Sequence, residues 1–500
     1  MPPRAYDQLA GHVRETFLLT STSALLSWDQ ETGMPPAAGQ VRAEQLALLA
    51  RLAHARATDP RVGDWLLACE QDRALRDDPG AVANVRELRR DFDRATRLPP
   101  ALVAELAEVA SLAQQQWAQA RAAADFARFR PWLERMLQLQ QQQADCLAVT
   151  GQCRFDALAD LYERGMNLSG LQTLFAPLRQ RLVALRQRLL AGKAPHRAFA
   201  KQAVAEGRQE AFVRAVLAAF GFDPQRGRLD RSAHPFCTST GGDVRLTTRF
   251  RTDNVLDALG STMHEGGHGL YEQGLPLRHL GTPLGEAVSL GIHESQSRLW
   301  ENHVGRSRGF WQWARPLARQ HLGEVVDGFS ATELWREQNC VEPGLIRVEA
   351  DECTYDLHVM VRFEIETALL HGQLAVADLP ACWNAKYRDH LGVTVPDDAR
   401  GCLQDVHWSC GLFGYFPTYT LGNLYAAQLF AAAARQLGDL DAAFARGEFA
   451  PLRQWLQQQV HAHGRRYPPG ELCERATGAP LSPEPFLHYL EQKLVAVYEL

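Results

Sequence analysis

The 500-residue sequence predicts a mostly α-helical protein, and three observations carry that prediction. From Ala5 to about Phe220, apolar residues recur at three- and four-residue spacing among Ala, Leu, Gln, Arg and Glu, the pattern of successive amphipathic helices. One clear β signal follows, from His234 to Phe250. Beyond it the helical period returns and carries the pentapeptide His264-Glu265-Gly266-Gly267-His268.

The first 220 residues hold no evident chemistry. Pro99-Pro100 and the segment around Pro195 are short punctuation between helices, and neither Ser/Gly-rich spacers nor long charge blocks divide the chain. Residues 1–500 therefore read as a single unit with two lobes, 1–220 forming a helical lobe or lid and 221–500 the metal-binding portion. The Gln-rich run from Gln138 to Gln143 lies beside Leu133, Met136, Leu137 and Leu139, which fits the solvated face of a long helix better than disorder.

The β signal reads as a hairpin. Gly241-Gly242 joins two Thr- and Val-containing runs, a register that sets Thr238 opposite Arg245 and Phe236 opposite Thr247. Asp243, Arg245 and Thr247 would then share one face, either lining a substrate site or forming a solvated edge with an Asp–Arg pair.

In the helix that follows, Thr252 and Asp253 are the predicted caps, Gly274 the stop, and Val255, Leu256, Leu259, Met263 and Leu270 the buried stripe. His264 and His268 lie one turn apart beside that stripe, close enough to offer two imidazoles to one tetrahedral Zn²⁺. Glu265 can take a proton from water activated there and return it to a leaving amine, the work of a metallopeptidase general base. Gly266 and Gly267 each cost about 1 kcal/mol in a helix relative to Ala, which points to close approach by a substrate or another backbone.

A catalytic zinc site needs a third protein ligand. The next helix is predicted to start at Thr282-Pro283 and run towards Gly305, and it contains His293-Glu294-Ser295-Gln296. Glu294 would complete a His₂Glu set. His293 is the alternative, since adjacent helical residues cannot both aim at one ion; His279 and His303 are weaker alternatives.

Composition excludes several other functions. Lys and Arg total 53 against 58 Asp and Glu, a net charge of −5, with no basic stripe, so nucleic acid is not an expected partner. None of the ten cysteines forms a Cys-x-x-Cys pair, and neither a signal-peptide core nor a run of about 18 apolar residues occurs, so a reduced, cytoplasmic, membrane-free protein is expected.

Six motifs in order extend the reading: His-Pro-Phe at 234–236, Asp-Val-Arg-Leu-Thr at 243–247, His-Glu-Gly-Gly-His at 264–268, His-Glu-Ser-Gln at 293–296, Ile-Arg-Val-Glu-Ala-Asp at 346–351 and Gly-Cys-Leu-Gln-Asp-Val-His-Trp at 401–408. With Ser27 to Pro35 as a further match, the chain resembles the carboxypeptidase Taq family of metallocarboxypeptidases over essentially its full length. Arg164 departs from the proline expected there, outside the chemical motifs. The resemblance implies a bilobed, mostly helical zinc-peptidase fold with a deep central groove and a homodimer. It also implies broad removal of single residues from peptide C-termini with Zn²⁺ or Co²⁺, with His264, His268 and Glu294 as ligands and Glu265 as base and acid.

Recognition of a free C-terminal carboxylate calls for a buried arginine, whose planar fork donates two parallel hydrogen bonds. Arg347 and Arg245 are the candidates. Arg347, taken to be helical, could instead pair with Asp351 four residues on; its place in the family motif favours it for the carboxylate and leaves Arg245 to help close the far end of the groove or bind the peptide backbone. The stretch from Gly411 through Gly414 and Pro417 to Gly422 reads as a non-helical loop bearing His407, Trp408, Tyr415 and Tyr419 on or beside it. By analogy with related glutamate-liganded peptidases, Tyr415 and His407 are the expected oxyanion donors, while Trp408 and Phe416 are as readily packing residues. A zinc endo-oligopeptidase would share the metal chemistry and lack only the carboxylate-binding arginine. A non-catalytic peptide-binding protein would have no use for Glu265.

Overall fold

The computed structural model describes residues 4–500, in which twenty α-helices and one three-stranded sheet are found. The chain forms two compact units, each assembled from three separate segments: Met1–Thr96, His196–Gln338 and Tyr425–Leu481 in one, and Arg97–Pro195, Asn339–Leu424 and Ser482–Leu500 in the other. No helix among the described residues is long and apolar enough to cross a membrane, and all ten cysteines are free thiols.

The first unit holds the sheet. Its strands β1 (Gly227–Arg231), β2 (Cys237–Ser239) and β3 (Val244–Thr248) lie in the order β1-β3-β2. The hairpin has the expected register, with Thr238 opposite Arg245 and Thr247 N donating to Phe236 O at 2.9 Å. Gly241 and Gly242 make the turn possible, since their φ values of 77° and 117° are costly for residues with a Cβ. Two features differ from expectation. Strand β1 adds a parallel neighbour to β3, and Gly-Arg-Leu-Asp-Arg hides this because Leu229 is its single apolar residue. Thr247 does not join Arg245 on a polar face; it is fully buried, and its hydroxyl accepts the Phe236 amide.

The helix Val255–Gly274 packs Val255, Leu259, Met263 and Leu270 into the core, while Leu256 is only half-buried. Its N-cap is Asn254, not Thr252 or Asp253: Asp253 is engaged by Arg251 at 3.2 Å, and the Thr252 carbonyl accepts Val204 N–H. The following helix also starts later than predicted. Thr282-Pro283 opens only a 3₁₀ turn, Pro283–Gly285, after which Glu286 is extended. The α-helix is Leu290–Arg298, capped by Ser289, whose hydroxyl accepts Ile292 N–H at 3.1 Å. It then widens into a π-helical turn, Leu299–Val304. Such turns are uncommon and recur at functional sites, where they re-aim side chains.

In the second unit, Leu133, Met136, Leu137 and Leu139 of the helix Phe126–Leu147 are buried as expected. Gln138 and Gln142 face solvent, but Gln140 is buried beside Met136, so the Gln-rich run is not wholly a solvated face. The loop after Gly411 is shorter than predicted. A 3₁₀ turn, His407–Cys410, leads into residues 411–416, and the helix Pro417–Leu437 begins at once, so Tyr419 and Gly422 are helical.

Candidate metal centre and substrate-binding residues

His264 and His268 face one way from the helix Val255–Gly274, and Glu294 meets them from the helix Leu290–Arg298. One ligand atom from each lies within 4.8 Å of the others, a spacing suited to one ion. Glu294 Oε2 stands 3.8 Å from His264 Nε2 and 3.5 Å from His268 Nε2. The alternative ligand, His293, is outside this group because both its ring nitrogens are engaged. Its Nδ1 meets His268 Nδ1 at 2.6 Å, and its Nε2 meets Glu272 Oε1 at 2.9 Å.

The surrounding hydrogen bonds set the imidazoles for coordination. His264 Nδ1 lies 2.9 Å from Glu301 Oε2, and His268 Nδ1 lies 3.1 Å from the His293 carbonyl. With a proton on each Nδ1, each Nε2 presents its lone pair to the shared space. Arg298 Nε holds Glu294 Oε1 at 2.7 Å, and Arg306 holds Glu301 at 3.0 Å. Burial alone would raise the Glu294 carboxyl, but Arg298 and the two histidines outweigh it and keep the group ionised, as a ligand must be. The donor set of two imidazoles and a carboxylate fits Zn²⁺ or a similar borderline ion.

Arg298, Glu301 and Arg306 were not anticipated, although Glu294, Arg298 and Glu301 share one helical face at spacings of four and seven. Replacing Glu301 by Gln removes the charge and one of the two acceptor oxygens that His264, Arg298 and Arg306 share. Metal affinity is expected to fall about 10- to 100-fold, read by competition with a coloured chelator; unchanged affinity would show that His264 needs no such support.

Glu265 is buried between these groups. Loss of hydration pushes its carboxyl from 4.5 up to about 7, which makes its ionised form a base effective near neutrality. The paired glycines are explained by their neighbours. A Cβ on Gly267 would fall 2.5 Å from Gln296 O and 2.6 Å from Ser297 Cα, so the backbone bearing Glu294 lies directly against the metal helix. A Cβ on Gly266 would meet the Leu217 side chain, with Cδ2 at 3.2 Å.

Arg245, on β3, is committed locally. It pairs with Asp243 at 2.7 Å and lies 4.1 Å over the Trp28 ring.

In the second unit, Arg347 sits in a 3₁₀ turn, Arg347–Glu349, not in an α-helix, and it does not pair with Asp351. Its guanidinium is buried, with Nε and Nη2 on Asp405 Oδ1 at 3.1 and 2.9 Å and Nη1 donating to the Tyr355 hydroxyl. Asp351 instead accepts backbone amides of Glu342, Cys353 and Thr354. Asp405 is shared: Arg362, fully buried, donates to its other oxygen at 2.6 Å. Burial would raise the Asp405 carboxyl, but the two arginines hold it well below the usual range. Two guanidinium cations thus meet one carboxylate. Gln404 Oε1 accepts the Arg347 backbone N–H at 3.0 Å and the Arg362 guanidinium Nη2 at 2.7 Å.

His407 and Tyr415 lie in the same cluster, their rings 5.4 Å apart. Burial lowers His407 to about 3, so its imidazole is neutral at physiological pH, and its Nε2 is 3.1 Å from the Tyr419 hydroxyl. Tyr415 packs edge-on to Tyr162 at 5.1 Å, and Tyr419 lies under the Arg347 guanidinium at 4.7 Å. Trp408 and Phe416 are buried packing residues.

A helical protein that gathers two histidines of a His-Glu-x-x-His helix, a carboxylate from the next helix and a neighbouring buried glutamate has the site of a metallopeptidase. The chain belongs to the carboxypeptidase Taq (M32) metallopeptidase family, whose model matches residues 8–494. It is 47% identical to thermostable carboxypeptidase 1 of Thermus thermophilus, across 99% of both chains, and 36% identical to carboxypeptidase 1 of Bacillus subtilis, across 95% of both. An M32 carboxypeptidase structure from Deinococcus radiodurans is 44% identical and covers all of both chains with a TM-score of 0.97. The protein is accordingly a metallocarboxypeptidase of mostly α fold.

Proposed function

We propose that this metallocarboxypeptidase removes single amino acids, with broad side-chain tolerance, from peptides with a free C-terminus. We assign Zn²⁺ to His264, His268 and Glu294, with Co²⁺ as a substitute. The observation that carries this reading is the His₂Glu donor group within 4.8 Å, with a buried glutamate beside it. When bound, the ion supplies Lewis-acid polarisation of the scissile carbonyl and makes water acidic enough to be deprotonated near neutrality. Glu265 takes that proton on its carboxylate and delivers it to the leaving amine.

Arg347 receives the terminal carboxylate. Asp405 is the carboxylate paired with both Arg347 and Arg362, which leaves one positive charge for an incoming anion, and a guanidinium fork suits a carboxylate. Tyr415 and His407 donate to the oxyanion. Arg245 serves the peptide backbone, from its place beside Asp243. Residues 1–500 act together as a single peptidase unit, with 1–220 contributing the lid. In solution the protein is a cytoplasmic homodimer, which light scattering would register at twice the 55.8 kDa chain mass.

Mass spectrometry of a peptide digest tests the central reading. A ladder of products shortened from the C-terminus is expected, abolished by chelator and absent for the same peptide with an amidated C-terminus. Equal trimming of free and amidated peptides would remove Arg347 from its role; trimming that survives full metal removal would overturn the metal assignment.

A further inference from the structure

Glu366 is a fully buried carboxylate that takes no part in the chemistry above. It projects from the helix Tyr355–Leu370, and both its oxygens are used by one loop. Oε2 accepts the Trp408 indole N–H at 3.0 Å, and Oε1 accepts the Gly414 backbone N–H. Burial pushes its carboxyl up to about 7 against those two hydrogen bonds, and no cation offsets the lost hydration. A carboxylate buried without a cation is costly, and an apolar side chain would pack there more cheaply.

The two bonds fall at telling positions. Trp408 follows His407, and Gly414 precedes Tyr415, so one side chain clips the loop immediately beside each of the two oxyanion donors. The loop is also wedged from behind. Gly414 has a φ of 79°, and a Cβ there would lie 2.6 Å from the Ala159 backbone nitrogen. Trp408 packs face-on to Phe413 and edge-on to Phe416, filling the span between the clipped points. A polar group misplaced by about 1 Å can lower a rate about 100-fold, so a clip at both ends has a kinetic use that packing alone lacks.

We propose that Glu366 is a positioning residue for peptide hydrolysis: by accepting the Trp408 and Gly414 N–H groups together, it fixes the loop that presents His407 and Tyr415. This rests on the reading of those two residues as oxyanion donors.

The test uses the full-length, zinc-reconstituted enzyme and four changes, Glu366→Gln, Trp408→Phe, Tyr415→Phe and His407→Gln. An amide offers one acceptor and one donor, so Glu366→Gln sets an NH₂ group against an N–H and opens one end of the clip. Its kcat is expected to fall about tenfold or more with KM within about twofold. Trp408→Phe keeps an aromatic ring, frees one oxygen and should have a similar, smaller effect. Combining the two should restore part of the Glu366→Gln loss, because the amide oxygen can then serve Gly414 with no donor facing the NH₂. In a Tyr415→Phe/His407→Gln background, where both positioned donors are gone, Glu366→Gln should lower kcat little further.

Wild-type kcat in folded Glu366→Gln, effects that add fully to the Tyr415→Phe/His407→Gln pair, or no rescue in the Trp408 combination would each overturn the proposal. If Glu366→Gln fails to fold, Trp408→Phe decides: unchanged kcat there overturns it, and a kcat loss that vanishes in the Tyr415→Phe/His407→Gln background supports it. If neither Tyr415→Phe nor His407→Gln lowers kcat, the oxyanion reading fails and this proposal falls with it; impaired donors beside an unimpaired Glu366→Gln sink only the proposal.

Discussion

Glu265→Gln is expected to bind metal as the wild type does and to lower kcat by about 10³-fold, within the range measured for loss of a general acid–base group. The change is nearly isosteric, and Glu265 is not one of the three residues whose ligand atoms cluster, so coordination should survive. The amide cannot take a proton from water or return one to the amine, and both steps of the proposed reaction fail together. Two measurements are needed: metal stoichiometry after dialysis, and kcat on a peptide with a free C-terminus. Full hydrolysis with metal bound would eliminate Glu265 as the base.

Opposite outcomes are expected at the two adjacent glycines. Gly267→Ala places a methyl 2.5 Å from Gln296 O, and backbone of a packed helix cannot move aside cheaply. A destabilisation of about 3 kcal/mol is expected from overpacking of this kind. Activity should fall as well, because any retreat of that backbone carries Glu294 away from His264 and His268. At Gly266 the added methyl meets the end of the Leu217 side chain, which can turn, and removing a helical glycine gains up to about 1 kcal/mol. Chemical denaturation of the metal-free proteins separates the two, since bound metal would itself stabilise the folded state. Equal stability of the two variants would show that the helices separate more readily than their contact implies.

This contrast shows how far the sequence could be read. Two glycines inside a helix announce a close approach, but which one faces a backbone depends on the crossing of two helices separated by residues 275–289, a stretch with no α-helix or strand. The hairpin was legible to the register because a Gly-Gly turn fixes pairing locally. Strand β1 was not, because its neighbours supply what its own residues lack. Ser289 was overshadowed as a cap by Thr282-Pro283, a helix-start signal that ends in one turn.

The same division runs through the candidate site. His264, Glu265 and His268 lie within five residues, and their chemistry is visible without a fold. Arg298 and Glu301 were in plain view, yet acidic and basic residues three or four apart on a helix usually form solvent-exposed pairs, and only burial gives these their meaning. Arg347 had a local partner in Asp351 on spacing alone. Its true partner, Asp405, lies 58 residues away, and sequence spacing could not indicate that Arg362 shares it.

The division of the chain has a consequence for how the protein is made. Each compact unit draws on an early, a middle and a late segment, and the unit that holds His264, His268 and Glu294 needs Tyr425–Leu481 as well as residues from before Thr96. A ribosome must therefore synthesise most of the polypeptide before either unit can close. Contacts between distant segments fold slowly, and partly made chains expose apolar helix faces while they wait. Synthesis halted near residue 425 should yield a chain that chaperones retain and proteases clear, and no cut at a single peptide bond can release either unit intact.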